Sequence, residues 1–424
     1  MKLFYSSLKG LPKNARLTIF LQPLWSIPFF LYSSYLSLYM MDLGLTAKMV
    51  GLISSVSFIT RTIIAFFAGN IINKMGRKKS LVLFDALSWL FPILIWAFAT
   101  KFWHFMLAGL INSVVVVNGI VSSFFIIEDV DKDKRLSAFN YMEVVLILSG
   151  FFVPVSGLLF KKFSFIPTMR GIYVFAFVCM CIFILIKYFH IKETSIGEKI
   201  KSNPKENNNI FRNFISATRY MLNNKYLFTL QLVRMLTMFN ATLYGLYYFP
   251  LLKRYFNYSE TSISVIPFIS SFITLLILVY VIPAIKNKRF FLLGGLLLYA
   301  LGGAAIALAP KQFPLVFIIL NIFLWAFSRS LINPLMNQEV ANAVDDEPRA
   351  NVMAAQNILM TLAMFPAGYL GGILFEISPV YPFYGIMLIY LLSFAIYFRY
   401  FRKREKTRRT NNEQKITQQI PLPF

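Results

Sequence analysis

The run Thr60-Arg61-Thr62-Ile63-Ile64-Ala65-Phe66-Phe67-Ala68-Gly69-Asn70-Ile71-Ile72-Asn73-Lys74-Met75-Gly76-Arg77-Lys78-Lys79 carries an apolar helix into a short basic turn, and a second apolar segment starts at Leu81. Gly69 and Gly76 remove side chains, the first where helices come close and the second where the turn is tight. Arg77, Lys78 and Lys79 hold such a turn at a membrane surface and oppose its passage through the bilayer.

The rest of the chain extends this pattern. Hydrophobic residues are 58% of 424 and charged residues 14%, more apolar surface than a soluble domain of this length buries. A membrane span needs about 20 apolar residues. Twelve segments qualify: Leu17–Met41, Val50–Ile72, Leu81–Thr100, Trp103–Ile127, Ser137–Phe160, Gly171–Phe189, Tyr226–Phe249, Thr261–Ile285, Phe290–Ala309, Phe313–Met336, Ala350–Phe375 and Val380–Phe401. Continuous runs favour helices over barrel strands, which alternate in pieces of about 10 residues. The fold class is therefore an all-α polytopic membrane protein.

The net charge of +24 invites a nucleic-acid reading, and its distribution rejects it. With both termini cytoplasmic, the outer loops hold only Lys48, Lys101, Lys161, Lys162, Arg170, Lys253, Arg254 and Lys311. Apart from Arg61, Arg234 and Arg329 deeper within spans, all other basic residues fall on the inner side or, like Lys187 and Arg399, at the inner end of a span, as the positive-inside rule requires. No small-residue cleavage site follows the first apolar run, so that span is expected to be retained. Cys179 and Cys181 lie two apart on one helix and do not face each other, which makes a disulfide between them a poor expectation. Neither they nor His104 and His190 suggest a metal site, and no phosphate-binding loop of a nucleotide-driven pump occurs. No cofactor is expected.

The two halves echo each other. Arg135 and Arg349, Pro154 and Pro366, and Phe160 and Phe375 are separated by nearly equal intervals of about half the chain, and Arg77–Lys79 is echoed by Lys286–Arg289. The organisation read from this is a tail at 1–16, a six-helix bundle at 17–190, a linker at 191–225, a second bundle at 226–401 and a basic tail at 402–424. Lys199–Asn209 reads as a flexible stretch, and Phe211, Phe214, Ile215, Thr218 and Leu222 have the spacing of a short amphipathic helix.

The basic turn resembles the signature loop between the second and third helices of the major facilitator superfamily, Gly-x-x-x-Asp-Arg/Lys-x-Gly-Arg/Lys-Arg/Lys. Gly69, Gly76, Arg77 and Lys78 match, and Asn73 stands at the Asp position. The resemblance implies two pseudo-symmetric six-helix bundles and a latch on the cytoplasmic side, with the Asp position bonding across to the other half. It also implies that the first, fourth, seventh and tenth helices line a cavity, while the second, fifth, eighth and eleventh form the contact between halves. Gly150, Pro154 and Gly157 match half of an antiporter kink motif. Helix bending and close packing explain those residues equally well.

Charges inside spans are costly and usually paired or functional. Arg61, Asp85 and Glu143 are the intramembrane charge and coupling candidates. Arg61 needs a tertiary or backbone partner. Asp85 is read as a structural ion pair ahead of a proton site, and Glu143 as either a proton-coupling acid or the partner of Arg329 across the halves. Trp25, Asn112, Arg234, Asn240, Trp325 and Arg329 are the cavity candidates, since amides, indoles and guanidinium groups orient small polar or amphipathic solutes.

The expected function is a monomeric secondary transporter in a prokaryotic cell membrane, with small-molecule substrate, lipid and a coupling proton as partners. Its solute is either an exported amphipathic compound or an imported sugar or small anion. A non-transporting receptor or scaffold is the alternative. No nucleophile–base pair suggests an enzyme.

Overall fold

The computed structural model describes residues 10–131, 134–202, 210–285, 288–344 and 349–418. Residues 1–9 and 419–424 of the two tails, the linker centre at 203–209, Lys286 of the second basic turn and the acidic loop Asp345–Pro348 lie outside the described residues. Among those described, the regular elements are all helices.

The first helix, α1, runs Lys13–Ser33 and resumes after a turn as Leu36–Asp42. It is followed by α2 (Ala47–Met75), α3 (Arg77–Phe98), α4 (Phe102–Ile127), α5 (Ser137–Phe163) and α6 (Phe165–His190). Two linker helices, Ser195–Ser202 and Ile210–Asn223, lead to α7 (Lys225–Arg254). The second half continues with α8 (Glu260–Ala284), α9 (Arg289–Ala307), α10 (Leu315–Val340), α11 (Asn351–Ile377) and α12 (Tyr381–Arg402). Ten of these are long and apolar enough to cross a membrane. The more polar α1 and α7 hold the first place in each half, consistent with the expected twelve. The linker defines one end of the molecule, the linker end; the opposite end is the far end.

Several expected continuous helices are interrupted. Besides the break in α1, α3 widens into a π turn at Ala86–Leu90, α4 is broken at Ser113–Val114, and α8 has a π turn at Ile277–Val281. In α5 a 3-10 turn at Gly150–Phe152 lies just ahead of Pro154, so the half-motif there is a helix irregularity. These breaks leave backbone carbonyls free for side chains of other helices.

The halves meet at the far end through small residues. Ala47, Gly51 and Ser55 recur every fourth residue on α2, facing Gly368 and Gly372 on α11. A Cβ on Gly51 would lie 2.1 Å from the Gly368 carbonyl oxygen, and one on Gly372 would lie 2.6 Å from that of Ala47. Backbones this close gain dispersion contacts that larger residues forbid. Polar groups then reinforce the seam. The Ser55 hydroxyl donates to the Phe365 carbonyl (2.5 Å) and accepts from the Tyr369 N–H (2.9 Å), entering the α11 ladder beside Pro366. Tyr247 Oη of α7 donates to the Gly368 carbonyl (2.6 Å). Glu376 accepts from the Lys48 N–H (2.8 Å), so a carboxylate of the second half caps the N-terminus of α2.

Two further contacts seal this end. Thr261 of α8 donates to the Gly157 carbonyl of α5 (2.9 Å). Lys253 Nζ lies 2.5 Å from both Asp42 and Glu260, with Arg254 3.6 Å from Asp42. At the linker end, Phe214 of the second linker helix packs on Phe66 of α2 (5.0 Å), while Phe211, Ile215 and Leu222 of that helix remain exposed.

The close approach expected at Gly69 does not occur in this structure, because a Cβ there meets nothing within 4 Å. The two glycines are therefore expected to respond differently to substitution. Gly51→Ala should cost the far-end seam about 1–3 kcal/mol through overpacking, lengthening the distance between spin labels at Lys48 and Tyr381. Gly69→Ala should leave that distance unchanged, and equal effects in the two variants would refute the assignment.

Candidate functional site

The basic turn is held by two carboxylates, one at the end of α4 and one just past α6. Gly76 has φ +85°, a conformation that L side chains rarely adopt, and a Cβ there would meet the Glu193 carboxylate at 2.7 Å. The turn delivers the first N–H groups of α3 to that carboxylate: Arg77 N–H to Oε1 (2.9 Å) and Lys78 N–H to Oε2 (3.2 Å). Glu193, just past α6, thus caps α3 from another segment. The buried Arg77 guanidinium donates to Glu128 Oε1 at the end of α4 through Nε (3.2 Å) and Nη2 (3.1 Å), and it lies over the Phe124 ring. Thr194 donates to the other Glu128 oxygen. Asn73 Oδ1 accepts from Arg77 Nη1 (2.8 Å), a bond within α2 and the adjoining turn. The expected bond from this position across to the second half is absent among the described residues; the amide serves the neighbouring guanidinium.

Deeper in the first half, polar groups pair off. Asp85 and Lys187 form an ion pair of 2.8 Å between α3 and α6, with side chains only 2% and 3% exposed. Asn118 Nδ2 donates to the other Asp85 oxygen (2.7 Å), and Lys187 Nζ lies 3.9 Å from the Phe183 ring centroid. At the midpoint of α2, Arg61 Nη2 donates to Asn112 Oδ1 (2.9 Å), and Asn112 Nδ2 donates to the Ser88 carbonyl (2.7 Å). That carbonyl lies in the π turn of α3. Arg61 therefore has the tertiary partner its sequence position demanded, and Asn112 is committed to holding α2, α3 and α4 together. Trp25 stacks on Phe29 (4.9 Å) and meets Trp89 edge-on (5.2 Å), with its buried Nε1 unpartnered among the described residues.

The second half is built differently. Trp325 of α10 lies flat on Tyr244 of α7 (3.7 Å, 12°), and Tyr244 stacks in turn on Tyr248 (4.3 Å). Tyr299 and Tyr390 form a parallel pair at 4.4 Å, edge-on to Trp325. Asn321 fixes the stack, accepting from Tyr244 Oη (2.9 Å) and donating to the Gly302 carbonyl (2.8 Å). One turn from Trp325, at the midpoint of the Leu315–Ala343 helix, Arg329 is exposed. Its charge is within electrostatic range of the Tyr244, Tyr299 and Tyr390 hydroxyls.

A family model described as Major Facilitator Superfamily matches residues 24–368 and 285–423. The chain belongs to the major facilitator superfamily. Solved structures agree on the fold. The nucleoside transporter NupG is similar with a TM-score of 0.71 at 13% identity, covering 92% of this chain and 99% of its own. The human organic anion transporter MFSD10 (TETRAN) gives 0.60 at 16%, covering 91% and 99%. A POT family transporter in complex with a thioalcohol-conjugated peptide gives 0.68 at 12%, covering 94% and 99%. No curated protein sequence matches the chain.

Within this superfamily fold, the sequence-derived candidates separate. Asn240 is fully buried and donates to the Ile386 carbonyl of α12 (3.2 Å), so it turns away from the space between the halves. Asn112 is likewise engaged. Glu143 and Arg329 do not pair here; both are exposed, and the ion pairs of the described residues lie elsewhere. Arg234 is half-buried on α7 and makes no ion pair among the described residues. Sequence reasoning missed Glu128, Glu193 and Lys187. The signal for the two glutamates was available: each is the first acid after an apolar span that ends beside the basic turn. Lys187 counts only as an inner-side cation in the charge distribution, whereas the structure buries it inside α6.

The buried pair supplies a stability test. Lys187→Met strands the Asp85 carboxylate and should destabilise the protein by about 3–5 kcal/mol, read as a lower thermal midpoint in detergent. Adding Asp85→Asn should restore most of the loss. A double variant no more stable than Lys187→Met would argue against the pair as an energetic unit.

Proposed function

We propose that this protein is a secondary active transporter that moves a small organic anion by alternating access, binding it between the halves near the midplane. The observation that carries the reading is Arg329: an exposed guanidinium at mid-helix, beside a wall of stacked aromatic rings, with no carboxylate partner among the described residues. A charge at this depth is tolerated where it faces water rather than lipid. Arg234 on α7 adds a second positive charge to the same half. Together they suit an anionic group, and the partly exposed Tyr244 ring, backed by the buried Trp325, suits an apolar or aromatic body. A sugar loses support because Asn112 is spent on protein groups and Asn240 is fully buried, with its amide N–H directed at the Ile386 carbonyl.

The far-end seam supports reading this structure as the state closed at that end, with solute access from the linker end. The basic turn and the linker cations then face the cytoplasm of a cell membrane in the proposed orientation. Glu143, exposed on α5, is the candidate that loads and releases a coupling proton. The solutes named for structures of similar fold span nucleosides, organic anions and a peptide, so the fold by itself selects no substrate.

In proteoliposomes, uptake of aromatic carboxylates is expected, with neutral sugars inactive. Arg329→Gln should lower kcat/KM at least about tenfold, equivalent to about 1.4 kcal/mol, and Arg329→Lys should recover part of it. Glu143→Gln should abolish pH-driven accumulation while leaving solute exchange intact. Sugar transport untouched by Arg329→Gln would overturn the anion reading, and binding without transport would favour a receptor.

A further inference from the structure

A cavity of about 700 Å³ lies away from the arginines, between α1, α5 and α6. Ile27, Leu31, Val155, Leu159, Ile172 and Phe175 form its body, and Phe163 lines it near the far end of α5. One polar side chain, Thr168, reaches this wall, and its hydroxyl is spent on the Ser164 carbonyl (2.6 Å). The space therefore offers a ligand no free side-chain hydrogen-bonding group, which suits a hydrocarbon chain rather than a polar solute. Along α5 the lining runs from Phe152 to Phe163, roughly 16 Å at 1.5 Å per residue. That is about half of a hydrocarbon core of about 30 Å.

The far end of this groove is basic. Lys161 and Lys162 occupy the last turn of α5, both exposed, and Lys162 Nζ lies 5.1 Å from the Phe163 ring centroid. A helix C-terminus already favours nearby cations, yet these two also stand where the groove reaches headgroup level. We propose that the groove holds one acyl chain of an anionic phospholipid from the far-end leaflet, its phosphate on Lys161 and Lys162. The apolar wall selects the chain, and the two ammonium groups select the headgroup. This site is independent of the proposed solute path.

Gly171 provides the test, because it lines the groove and a Cβ there meets nothing within 4 Å. Gly119 on α4 is equally open and lies outside the groove, so it serves as the control. The full-length protein, exchanged from mixed phosphatidylglycerol and phosphatidylcholine vesicles into detergent, should carry one phosphatidylglycerol by native mass spectrometry. Gly171→Trp should reduce that retention at least about tenfold, whereas Gly119→Trp retains it. Lys161→Gln with Lys162→Gln should keep a bound lipid but lose the preference for phosphatidylglycerol. A phosphatidylglycerol with a photoreactive chain should label the Val155 or Phe175 peptides of the unaltered protein, a readout that does not depend on any variant folding. Undiminished retention in Gly171→Trp, equal loss in Gly119→Trp, labelling spread over all helices, or an unchanged headgroup preference in the lysine variant would each overturn the proposal.

Discussion

Between two helices in hydrocarbon, burial of apolar surface contributes little, because lipid tails are as apolar as the side chains they would replace. Close packing and hydrogen bonds must hold such a seam together. Here that role falls to the backbone contact of α2 and α11, where Gly51 faces Gly368 with no side chain between them. Once the backbones touch, other groups come into range. The Ser55 hydroxyl reaches into the α11 ladder, Tyr247 reaches the Gly368 carbonyl, and Glu376 reaches the N-terminus of α2. The Lys253 cluster with Asp42 and Glu260 lies farther out, at 19–26% side-chain exposure, where each ion pair is worth little by itself. The α2–α11 contact is made by glycine backbones with the Tyr247 hydroxyl beside them, which suits a seam that opens and closes in the proposed cycle.

The two halves treat charge in opposite ways. In the first, Asp85 is neutralised by Lys187, Arg77 by Glu128, and Arg61 is engaged by Asn112. The helix irregularities contribute, since the π turn of α3 presents the Ser88 carbonyl that orients Asn112. These bonds tie α2, α3, α4 and α6 into a frame. In the second half, Arg234 and Arg329 make no ion pair among the described residues, and the aromatic stack beside Arg329 is rigidified by Asn321. A framed half facing a half with unspent positive charge would give the proposed anionic solute a defined side on which to bind.

Much of the architecture was legible in local sequence. Apolar runs show where helices lie, because every buried backbone group in a bilayer must be bonded within its own segment. The glycine-bearing basic turn and the half-length repeat identify the family, and the need of Arg61 for a tertiary partner follows from the lack of an acid one turn away. What sequence left open was helix rotation. Asn112 and Asn240 have the depth of cavity residues, yet each turns toward a neighbouring helix backbone. Gly69 stands in the signature loop, but the tight contact is made by Gly51, whose four-residue pattern with Ala47 and Ser55 gained meaning only opposite Gly368 and Gly372.

The sequence by itself determined that this chain threads a membrane repeatedly, that it divides into two related halves, and that its basic turn belongs to the major facilitator superfamily. Those properties depend on composition and spacing along one chain. Tertiary structure alone decided which charges are spent and which remain available. That outcome depends on the rotation and separation of helices far apart in sequence: Lys187 meets Asp85 across about a hundred residues, whereas Glu143 and Arg329, opposite in sign, do not pair in this structure.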